Sequence, residues 1–591
     1  MIYGSAILTS LIAVVAAAQV RDPVQASSKT NTMSSSGAAR RSADSARTVR
    51  ATRRAQEQFE SLRRANLPFR PGAPSRPCDL QVGRFCYWHE DGDSRTNPPP
   101  EPERITRGRE RLLDALADAG RQLKGDEWVV GQRVRYFLEA GRMADAIAVS
   151  ADCWASDWWC DALAGLALHQ AREYARADSA FTSALAEMTP QQRCRWMDIS
   201  LLLEGRAAKR YEKLPCADRA QFENRFWWLS QPLYSLAGND ARTEFYARRT
   251  MSRLEQQARS AYNISWGRDV DELMMRFGWP TWWSRDHPSN ALASTLPSVV
   301  GHEPTPSFFF HPSDRLLDTL PVDARPSDWE PRRKLPPTRY APAYAASFSD
   351  LRTQVAIFRR GDSAVVVAAY EPPRDSLFDE GIDEAALALG TNETDPMTVV
   401  RQLVGGRPSL PLVARTTWAP LLASVELSAV NRRGIARSRF GVRPRPASGR
   451  LALSDILLYR PEHAPSASLD DLARYALGSP RVVTGGRAGV YWELYGVRPA
   501  GEVFSVTLTV ERVRAGWMTR AAQALRLADK ATPLRVRWQE VPTKDGGIVS
   551  RAITVDLSSL PAGSYRMQLL VAADDGATAE SERLIELFNP R

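Results

Sequence analysis

Six cysteines are the residues whose type and spacing most directly predict chemistry in this chain. They fall into three local pairs within one part of the sequence: Cys78 and Cys86, Cys153 and Cys160, Cys194 and Cys216. An even number of cysteines indicates disulfides in an exported chain, and these spacings do not match the Cys-x2-Cys arrangement of zinc sites. Six cysteines allow about 15 pairings, so proximity alone favours the three local ones.

The histidines show no recognisable catalytic or metal-binding pattern. His302 and Glu303 begin a sequence like the helical His-Glu-x-x-His zinc motif, but Pro304 is incompatible with that helix. His311 lies outside the required spacing. The chain also lacks the Gly-x-Ser-x-Gly, Walker and dinucleotide-binding motifs. We therefore predict no catalytic residue, no cofactor and no metal site.

The acidic residues leave one catalytic alternative open. The adjacent pairs at residues 379–380 and 383–384 are interpreted as solvated loop charge. A glycosidase, however, needs only two carboxylates, which can come from anywhere in a chain. Residues 89–93 also carry clustered carboxylates, but the twelve-residue ligand loop of a typical calcium site is missing. We interpret that cluster as a polar turn.

The positive charge does not indicate nucleic-acid binding. The chain has 591 residues and a net charge of +10, and only seven of its basic residues are lysine. Arginine is spread along the sequence without an RNA- or DNA-binding motif, which favours a compositional bias of the genome. We expect no nucleic-acid partner.

The N-terminus predicts export. Residues 1–18 form a short apolar run that ends in three alanines, which is typical of a signal peptide. No later segment has 18 unbroken apolar residues, so no transmembrane segment is expected in the mature chain. Residues 19–100 are predicted to be a linker with a small disulfide loop, because few bulky apolar residues occur before Cys78. At most, the linker is expected to contain one helix over residues 45–65.

Residues 101–260 predict a helical domain like a tetratricopeptide solenoid. One helical pair has small and aromatic residues at the repeat's positions: Gly165, Leu168, Tyr174, Ala177, Phe181, Ala184 and Pro190. A looser pair precedes it, with Phe137, Gly141, Ala146 and Cys153. The concave face of such a solenoid commonly binds peptides, although two irregular repeats could equally be scaffolding.

Residues 261–345 predict a small α/β junction followed by a proline-rich segment. Four apolar residues recur at helical spacing: Val270, Leu273, Met274 and Phe277. Asp269 is the predicted N-cap, and Gly278 and Pro280 are the predicted stop signals. We expect Gly278 to end the helix in a left-handed conformation, with positive φ, and Trp266 and Phe277 to pack beneath it.

Tryptophan is concentrated in the same stretch. It occurs at Trp266, Trp279, Trp282 and Trp283. One interpretation is a large aromatic core where two domains meet. The other is a platform for a ligand, because tryptophan is enriched at binding hot spots. The sequence does not separate the two.

Two short motifs in the junction resemble those of the GWxTD-domain family of bacterial extracytoplasmic proteins. Residues 266–269 read Trp-Gly-Arg-Asp, with Ser265 in place of the family's first glycine and Arg268 in place of its threonine. Residues 276–280 read Arg-Phe-Gly-Trp-Pro and resemble the family's Arg-Tyr-Gly-x-Pro motif, beginning at Arg276. The segment 451–456 is similar to the family's Leu-Ser-Asp segment. The resemblance covers residues 240–591 loosely and implies a secreted protein of unknown activity.

From residue 346 onward the apolar period changes to that of strands. Segments 354–359 and 364–370 flank a Gly-Asp turn and predict a β-hairpin. We predict a first β domain over residues 346–475 and an immunoglobulin-like β-sandwich over residues 480–591 that folds alone. The predicted fold class is multidomain α+β, with an N-terminal all-α solenoid, a small α/β junction and a C-terminal antiparallel β-sandwich region.

These features together favour an exported, non-catalytic protein that binds a protein or peptide partner or assists envelope assembly. The alternative is an extracytoplasmic hydrolase that uses carboxylates of the central region. A deep pocket with converging carboxylates would favour the hydrolase, and a broad groove without them would favour binding.

Overall fold

Most of the chain is described by a computed structural model. It covers residues 32–69, 77–89, 99–286, 298–405, 411–430, 433–445, 449–463, 468–498, 502–513, 533–541 and 547–590. The predicted signal peptide, residues 1–18, and the acidic residues 90–93 lie outside these ranges. Within them, no helix combines the length and the apolar composition needed to cross a membrane.

The protein has a multidomain α+β fold, with helices concentrated in its first half and strands in its second half. The helices are α1 (Thr32–Asn66), α2 (Glu103–Gln122), α3 (Glu127–Glu139), α4 (Met143–Ala151), α5 (Asp157–Gln170), α6 (Tyr174–Glu187), α7 (Pro190–Met197), α8 (Gly205–Lys213), α9 (Arg219–Ser230), α10 (Asp240–Gln256), α11 (Arg268–Phe277), α12 (Asp314–Asp318) and α13 (Leu469–Ala473).

Helix α1 departs most from the sequence-based expectation of a linker over residues 19–100. It packs along α2 and contributes Phe59 to the helical core. Its Arg63 is buried and forms ion pairs with Glu60, at 3.5 Å, and with Glu139 of α3. The packing face is therefore built partly from paired charges, which a search for apolar periodicity does not detect.

Two helical hairpins, α3 with α4 and α5 with α6, occupy the region in which the repeat phasing predicts them. Gly165 lets α5 approach α6 closely, because an added Cβ would lie 2.7 Å from the ring of Phe181. Ala146 and Ala177 are fully buried in the same hairpins. This packing agrees with the predicted small positions, whereas membership of the tetratricopeptide family stays a prediction.

Helix α10 covers the face that α3 and α5 share. The Gln132 side chain of α3 donates to the Leu254 carbonyl of α10 at 2.9 Å. An added Cβ at Gly131 would lie 2.5 Å from Leu254 Cδ2, so the two helices are in close contact. His169 of α5 lies 2.8 Å from the Glu244 carboxylate of α10. The face on which a repeat domain could bind a peptide is thus packed against the chain's own helix.

The three predicted disulfides are present. Their Cα–Cα distances are 5.3 Å for Cys78–Cys86, 5.6 Å for Cys153–Cys160 and 5.9 Å for Cys194–Cys216, all within the range that a disulfide requires. The first closes the small hairpin of β1 (Leu80–Val82) and β2 (Phe85–Tyr87), and the second joins α5 to the segment after α4. Disulfides of this kind are characteristic of an oxidising, non-cytoplasmic compartment.

The junction consists of α11 and a two-stranded antiparallel sheet. Strand β3 (Trp282–Asp286) pairs with β4 (Ser298–His302), and Trp282 stacks on His302 with ring centroids 3.6 Å apart. Gly301 is required here, because an added Cβ would lie 2.4 Å from Pro280. The α/β character predicted for the junction is therefore present: a strand follows the glycine–proline turn, and its partner strand comes from the proline-rich segment.

The first β-sandwich is formed by two sheets that enclose an apolar core. Its strands are β5 (Ser347–Asp350), β6 (Arg352–Arg360), β7 (Ser363–Glu371), β8 (Ile382–Gly390), β9 (Thr398–Leu403), β10 (Leu412–Thr417), β11 (Leu421–Ala429) and β12 (Gly434–Val442). One sheet has the order β10–β7–β6, and the other has the order β5–β12–β11–β8–β9. Pairing is antiparallel except between β5 and β12.

The second β-sandwich has its own core and a comparable arrangement. Its strands are β13 (Ala452–Leu453), β14 (Leu457–Tyr459), β15 (Arg481–Val483), β16 (Arg487–Val497), β17 (Phe504–Arg512), β18 (Leu534–Glu540), β19 (Gly547–Asp556), β20 (Gly563–Ala573) and β21 (Thr578–Phe588). The sheet β15–β21–β20–β17–β18 packs on a sheet in which β16 pairs with β13, β14 and β19. The Tyr565 hydroxyl donates to the Pro561 carbonyl at 2.8 Å, a feature of immunoglobulin-like sandwiches.

The boundary between the sandwiches differs from the predicted one. Strands β13 and β14 were expected in a first β domain of residues 346–475, but both pair with β16 of the second sandwich. The described part of the first sandwich therefore ends near residue 445. A separate apolar cluster, which includes Phe358, Leu472 and Tyr491, packs the β6–β7 face against the second sandwich.

This boundary makes a prediction about fragments. A fragment of residues 449–591 should melt cooperatively, whereas a fragment of residues 480–591 should melt at a lower temperature or without a cooperative transition. The shorter fragment loses β13 and β14, including the buried Leu453 and Leu458 of the core. Circular dichroism melts of both, with residues 346–591 as the reference, test this. Equal melting of the two fragments would show that β13 and β14 do not stabilise the sandwich.

Candidate functional site

Helix α11 begins two residues earlier than the sequence predicts. Its N-cap is Gly267, and Asp269 lies in the first turn instead of at the cap. The Asp269 carboxylate accepts from the Arg84 side chain at 2.6 and 2.9 Å. This hydrogen bonding to Arg84 holds the pKa of Asp269 well below its usual value. The predicted cap therefore connects α11 to the disulfide-closed hairpin, and Glu272 pairs with Arg276 at 2.8 Å.

The end of α11 agrees with the predicted stop signals. Gly278 has φ +92° and ψ −174°, a backbone conformation that is almost restricted to glycine. Phe277 is buried and stacks on Tyr87 of β2 with ring centroids 3.8 Å apart. Trp266 does not lie beneath Gly278; it borders a different cavity, together with Trp128 of α3. The side chain next to Gly278 is that of Arg248.

Arg276 fixes α11 to the proline-rich segment. Its Nε donates to the Pro337 carbonyl at 2.6 Å, and its own carbonyl accepts from the Arg339 amide at 2.9 Å. Arg276 thus fixes the position of the segment around Pro337 and Arg339 relative to α11. Pro280, which follows the helix, is also buried.

A cavity of about 320 Å³, called here the junction cavity, lies next to these residues. Its walls come from the α5–α6 turn, the α10 face, the end of α11, the loop at residues 304–307 and the segment 340–346. Arg172, Arg248 and Arg433 line it together with aromatic residues such as Tyr174, Phe277, Trp279 and Tyr340. The cavity therefore combines positive charge with aromatic walls.

Three side chains, those of His169, Glu244 and Arg248, are linked by hydrogen bonds along one wall of the cavity. His169 Nε2 lies 2.8 Å from Glu244, and Glu244 accepts from Arg248 Nε at 2.7 Å. Arg248 also donates to the carbonyls of Met275 and Arg339, at 3.0 and 2.7 Å. Burial alone would raise the pKa of Glu244, but the charge of Arg248 and the hydrogen bond from His169 lower it to about 2. Glu244 is thus a carboxylate at physiological pH.

Asp240 lies one helical turn before Glu244 and has a different environment. It is fully buried, and Tyr344 donates to its Oδ2 at 2.9 Å. Burial raises the pKa of Asp240 to about 6. Asp240 supports the wall from behind and does not itself line the cavity.

The junction cavity does not provide, among the described residues, the carboxylate pair that a glycosidase needs. Among the described residues, Glu244 is the one carboxylate that lines the junction cavity, and Arg248 neutralises it. A general acid would need a carboxyl group that keeps its proton near neutral pH. The cavity therefore fits recognition of a ligand better than acid–base hydrolysis.

The two histidines considered for metal binding, His302 and His311, do not line the junction cavity. His302 stacks on Trp282 and contacts Ser284 Oγ at 2.9 Å. His311 is partly buried, and this desolvation lowers its pKa to about 3. The described residues contain one cluster of three possible ligands: Glu502, Asp574 and Asp575. Arg450 forms ion pairs with Glu502 and Asp575, so positive charge already occupies that cluster.

The sequence analysis missed the charged face of α10. Asp240, Glu244 and Arg248 are spaced by four residues and so lie on one face of the helix. This spacing is a detectable signal, but many exposed helices carry the same pattern. The burial that gives these residues their importance depends on the segment 340–344, which is remote in sequence.

Comparison with known proteins does not assign this chain to a family. No protein-family model matches it, and no curated protein matches it. Matched solved structures include one described as "Structural insight into host cell surface retention of a 1.5-MDa bacterial ice-binding adhesin", with 10% identity over 41% of this chain and 66% of that chain (TM-score 0.14). Others are red sea bream transglutaminase, with 11% identity over 40% and 32% (TM-score 0.13), and the FN1–FN3 domains of chicken CNTN1, with 10% identity over 50% and 72% (TM-score 0.14). This chain spans less than two thirds of the first two structures. Similarity at these scores supports no conclusion about its function.

The end of α11 allows a test of the junction core. Phe277→Ala should lower the free energy of unfolding by roughly 3–5 kcal/mol, because it removes a buried stacked ring. Gly278→Ala should lower it by roughly 1–3 kcal/mol, because the backbone conformation is restricted to glycine. Urea denaturation of both variants measures these losses.

Gly361→Ala is a matched control for the backbone effect. Gly361 also has a positive φ, +64°, but lies in a hairpin turn with no atom within 4 Å of an added Cβ. Gly361→Ala should lower the free energy of unfolding by about 1 kcal/mol.

If Phe277→Ala unfolds like the parent protein, the junction is not a stabilising core.

Asp240 makes stability depend on pH. Its folded pKa of about 6 exceeds the ~3.9 of an unfolded chain, so the folded state retains a proton that the unfolded state releases. The contribution of Asp240 to the free energy of unfolding therefore falls as pH rises from about 4 to 6 and stays lost above that. The free energy of unfolding of Asp240→Asn, measured relative to that of the parent, should therefore increase by about 3 kcal/mol from pH 4 to pH 7.

Urea denaturation at pH 4, 5, 6 and 7 checks this difference. A constant difference for Asp240→Asn would show that burial does not hold a proton on Asp240.

Proposed function

We propose that this chain is an exported, non-catalytic binding protein and that its junction cavity binds a peptide segment of a protein partner. Three disulfides support a compartment outside the cytoplasm. Export itself rests on the apolar N-terminal run of residues 1–18 and is part of the proposal.

The observation that carries the proposal is the composition of the cavity. Its walls combine arginines with aromatic and proline side chains, and its one carboxylate among the described residues is paired. Polar groups that fix a ligand's orientation beside aromatic walls are typical of ligand-binding cavities. Arg248 is held by three hydrogen-bond partners, so the wall that contains it is formed before a ligand arrives.

The arrangement of the helices also supports this location. A peptide bound along the α3–α5 face would compete with α10, which is held there by side-chain and backbone contacts. The junction cavity lies at one end of that face, where α10 meets segments of the junction. Membership of the GWxTD-domain family and a role in envelope assembly are compatible with this proposal and are part of it.

Filling the cavity tests the proposed function. Ala343 lines the cavity and is exposed, so Ala343→Trp should occupy cavity volume without disturbing the core. We expect the parent protein to capture a subset of an arrayed library of random dodecapeptides. Ala343→Trp should bind the captured peptides at least tenfold more weakly, as measured by fluorescence anisotropy.

Ala186→Trp is the matched control, because Ala186 is exposed near the end of α6 and does not line the cavity. This variant should bind as the parent does, and all three proteins should have the same melting temperature. If Ala343→Trp binds the same peptides with unchanged affinity, the junction cavity is not the binding site.

A further inference from the structure

The two helical hairpins turn through the same backbone path, which allows a comparison within one chain. After α3, the amides of Gly141 and Arg142 donate to the carbonyls of Leu138 and Phe137, at 3.0 and 2.9 Å. After α5, the amides of Arg172 and the next residue donate to carbonyls at the same offsets, both at 2.9 Å. This is the hydrogen-bonding pattern of a Schellman turn. Arg172 is therefore the structural equivalent of Gly141.

Both residues have the backbone conformation that glycine favours. φ is +72° at Gly141 and +66° at Arg172. A side chain with a Cβ is strained there, and glycine is not. Among the described residues, Arg172 and Asn263 are the non-glycine residues with positive φ, and asparagine is a type that tolerates this conformation. The chain thus places arginine where the backbone favours glycine.

The surroundings show what distinguishes the two turns. Arg172 lines the junction cavity, and Gly141 does not. An added Cβ at Gly141 would meet no atom within 4 Å, so there is room for a side chain in the first turn as well. Strained backbone positions are concentrated at functional sites. The arginine is therefore best explained by what it does in the cavity.

The charges of the cavity indicate the ligand group. Arg248 is paired with Glu244, whereas no carboxylate of the described residues lies within ion-pair distance of Arg172. Arginine binds carboxylates through two parallel hydrogen bonds. We infer that Arg172 is a specificity-determining residue that binds a carboxylate of the peptide held in the junction cavity. This inference rests on the proposed function, because it names the group that the cavity selects.

The test uses the full chain and three forms of each library peptide. The first form keeps its Asp and Glu residues and has an amidated C-terminus. The second replaces them with Asn and Gln and is also amidated. The third carries the same replacements but has a free C-terminal carboxylate. The first and third forms distinguish a side-chain carboxylate from a terminal one.

Arg172→Gly should bind the preferred carboxylate form of the peptide at least tenfold more weakly than the parent does. It should bind the neutral form with the same affinity as the parent. Its melting temperature should stay the same or rise by about 2 °C, because the strain at this position is removed. Arg172→Lys should keep part of the affinity, since the charge remains while the paired hydrogen bonds are lost. A simple structural role for Arg172 predicts a lower melting temperature instead.

Gly141→Arg is the matched control, because it introduces the same strain at the equivalent turn away from the cavity. It should lower the melting temperature by about 2 °C and leave all affinities unchanged. The inference is overturned if Arg172→Gly binds the carboxylate forms as tightly as the parent, weakens all three forms equally or melts at a lower temperature. If the parent captures no peptide in any form, the proposed function fails, whereas equal capture of neutral and carboxylate forms overturns this inference alone.

Discussion

The structure depends on a buried cluster of charges where the C-terminal end of α9 meets the first β-sandwich. Arg437 and Arg439 of β12 donate to backbone carbonyls at the end of α9, with Pro232 accepting from both at 2.5 and 3.1 Å. Glu426 of β11 accepts from the amides of Tyr234 and Ser235, both at 2.9 Å. The sheet therefore satisfies polar groups that a helix end leaves unpaired. Because α10 begins just after this segment and β5 pairs with β12, the cluster also holds two walls of the junction cavity at a fixed separation.

A second buried network does the same for α1. Arg63 and Glu60 of α1 meet Arg135 and Glu139 of α3, with Arg135 Nε donating to Glu139 at 2.9 Å. Buried ion pairs often add little net stability, but removing one partner leaves an uncompensated charge at a cost of several kcal/mol. Such networks therefore specify which elements pack together. Arginine suits this role because its planar guanidinium binds several acceptors at once, so part of the arginine content connects the domains.

Local signals in the sequence predicted local structure. Features that depend on packing between segments remote in sequence were not predicted. The close cysteine pairs, the Gly278 stop signal and the β6–β7 hairpin depend on neighbouring residues, and each appears in the structure. The packing of α1 was missed because its buried face contains charged residues such as Arg63. Strands β13 and β14 were assigned to the wrong sandwich because strand pairing with β16 cannot be inferred from apolar period. The junction cavity was missed because segments distant in sequence form it.

Two of the three arginines that line the cavity, Arg248 and Arg172, differ in how firmly they are held. Arg248 donates to Glu244 and to two backbone carbonyls, so its position is set before any ligand binds. Arg172 is exposed at the α5–α6 turn, and only its backbone is constrained. A preorganised group loses little conformational entropy on binding, whereas an exposed side chain must be ordered by the ligand. Glu244, with a pKa of about 2, stays charged and keeps Arg248 in place instead of transferring a proton. These properties suit selective binding, in which a fixed wall sets the path of the ligand and an exposed arginine contacts its charged group.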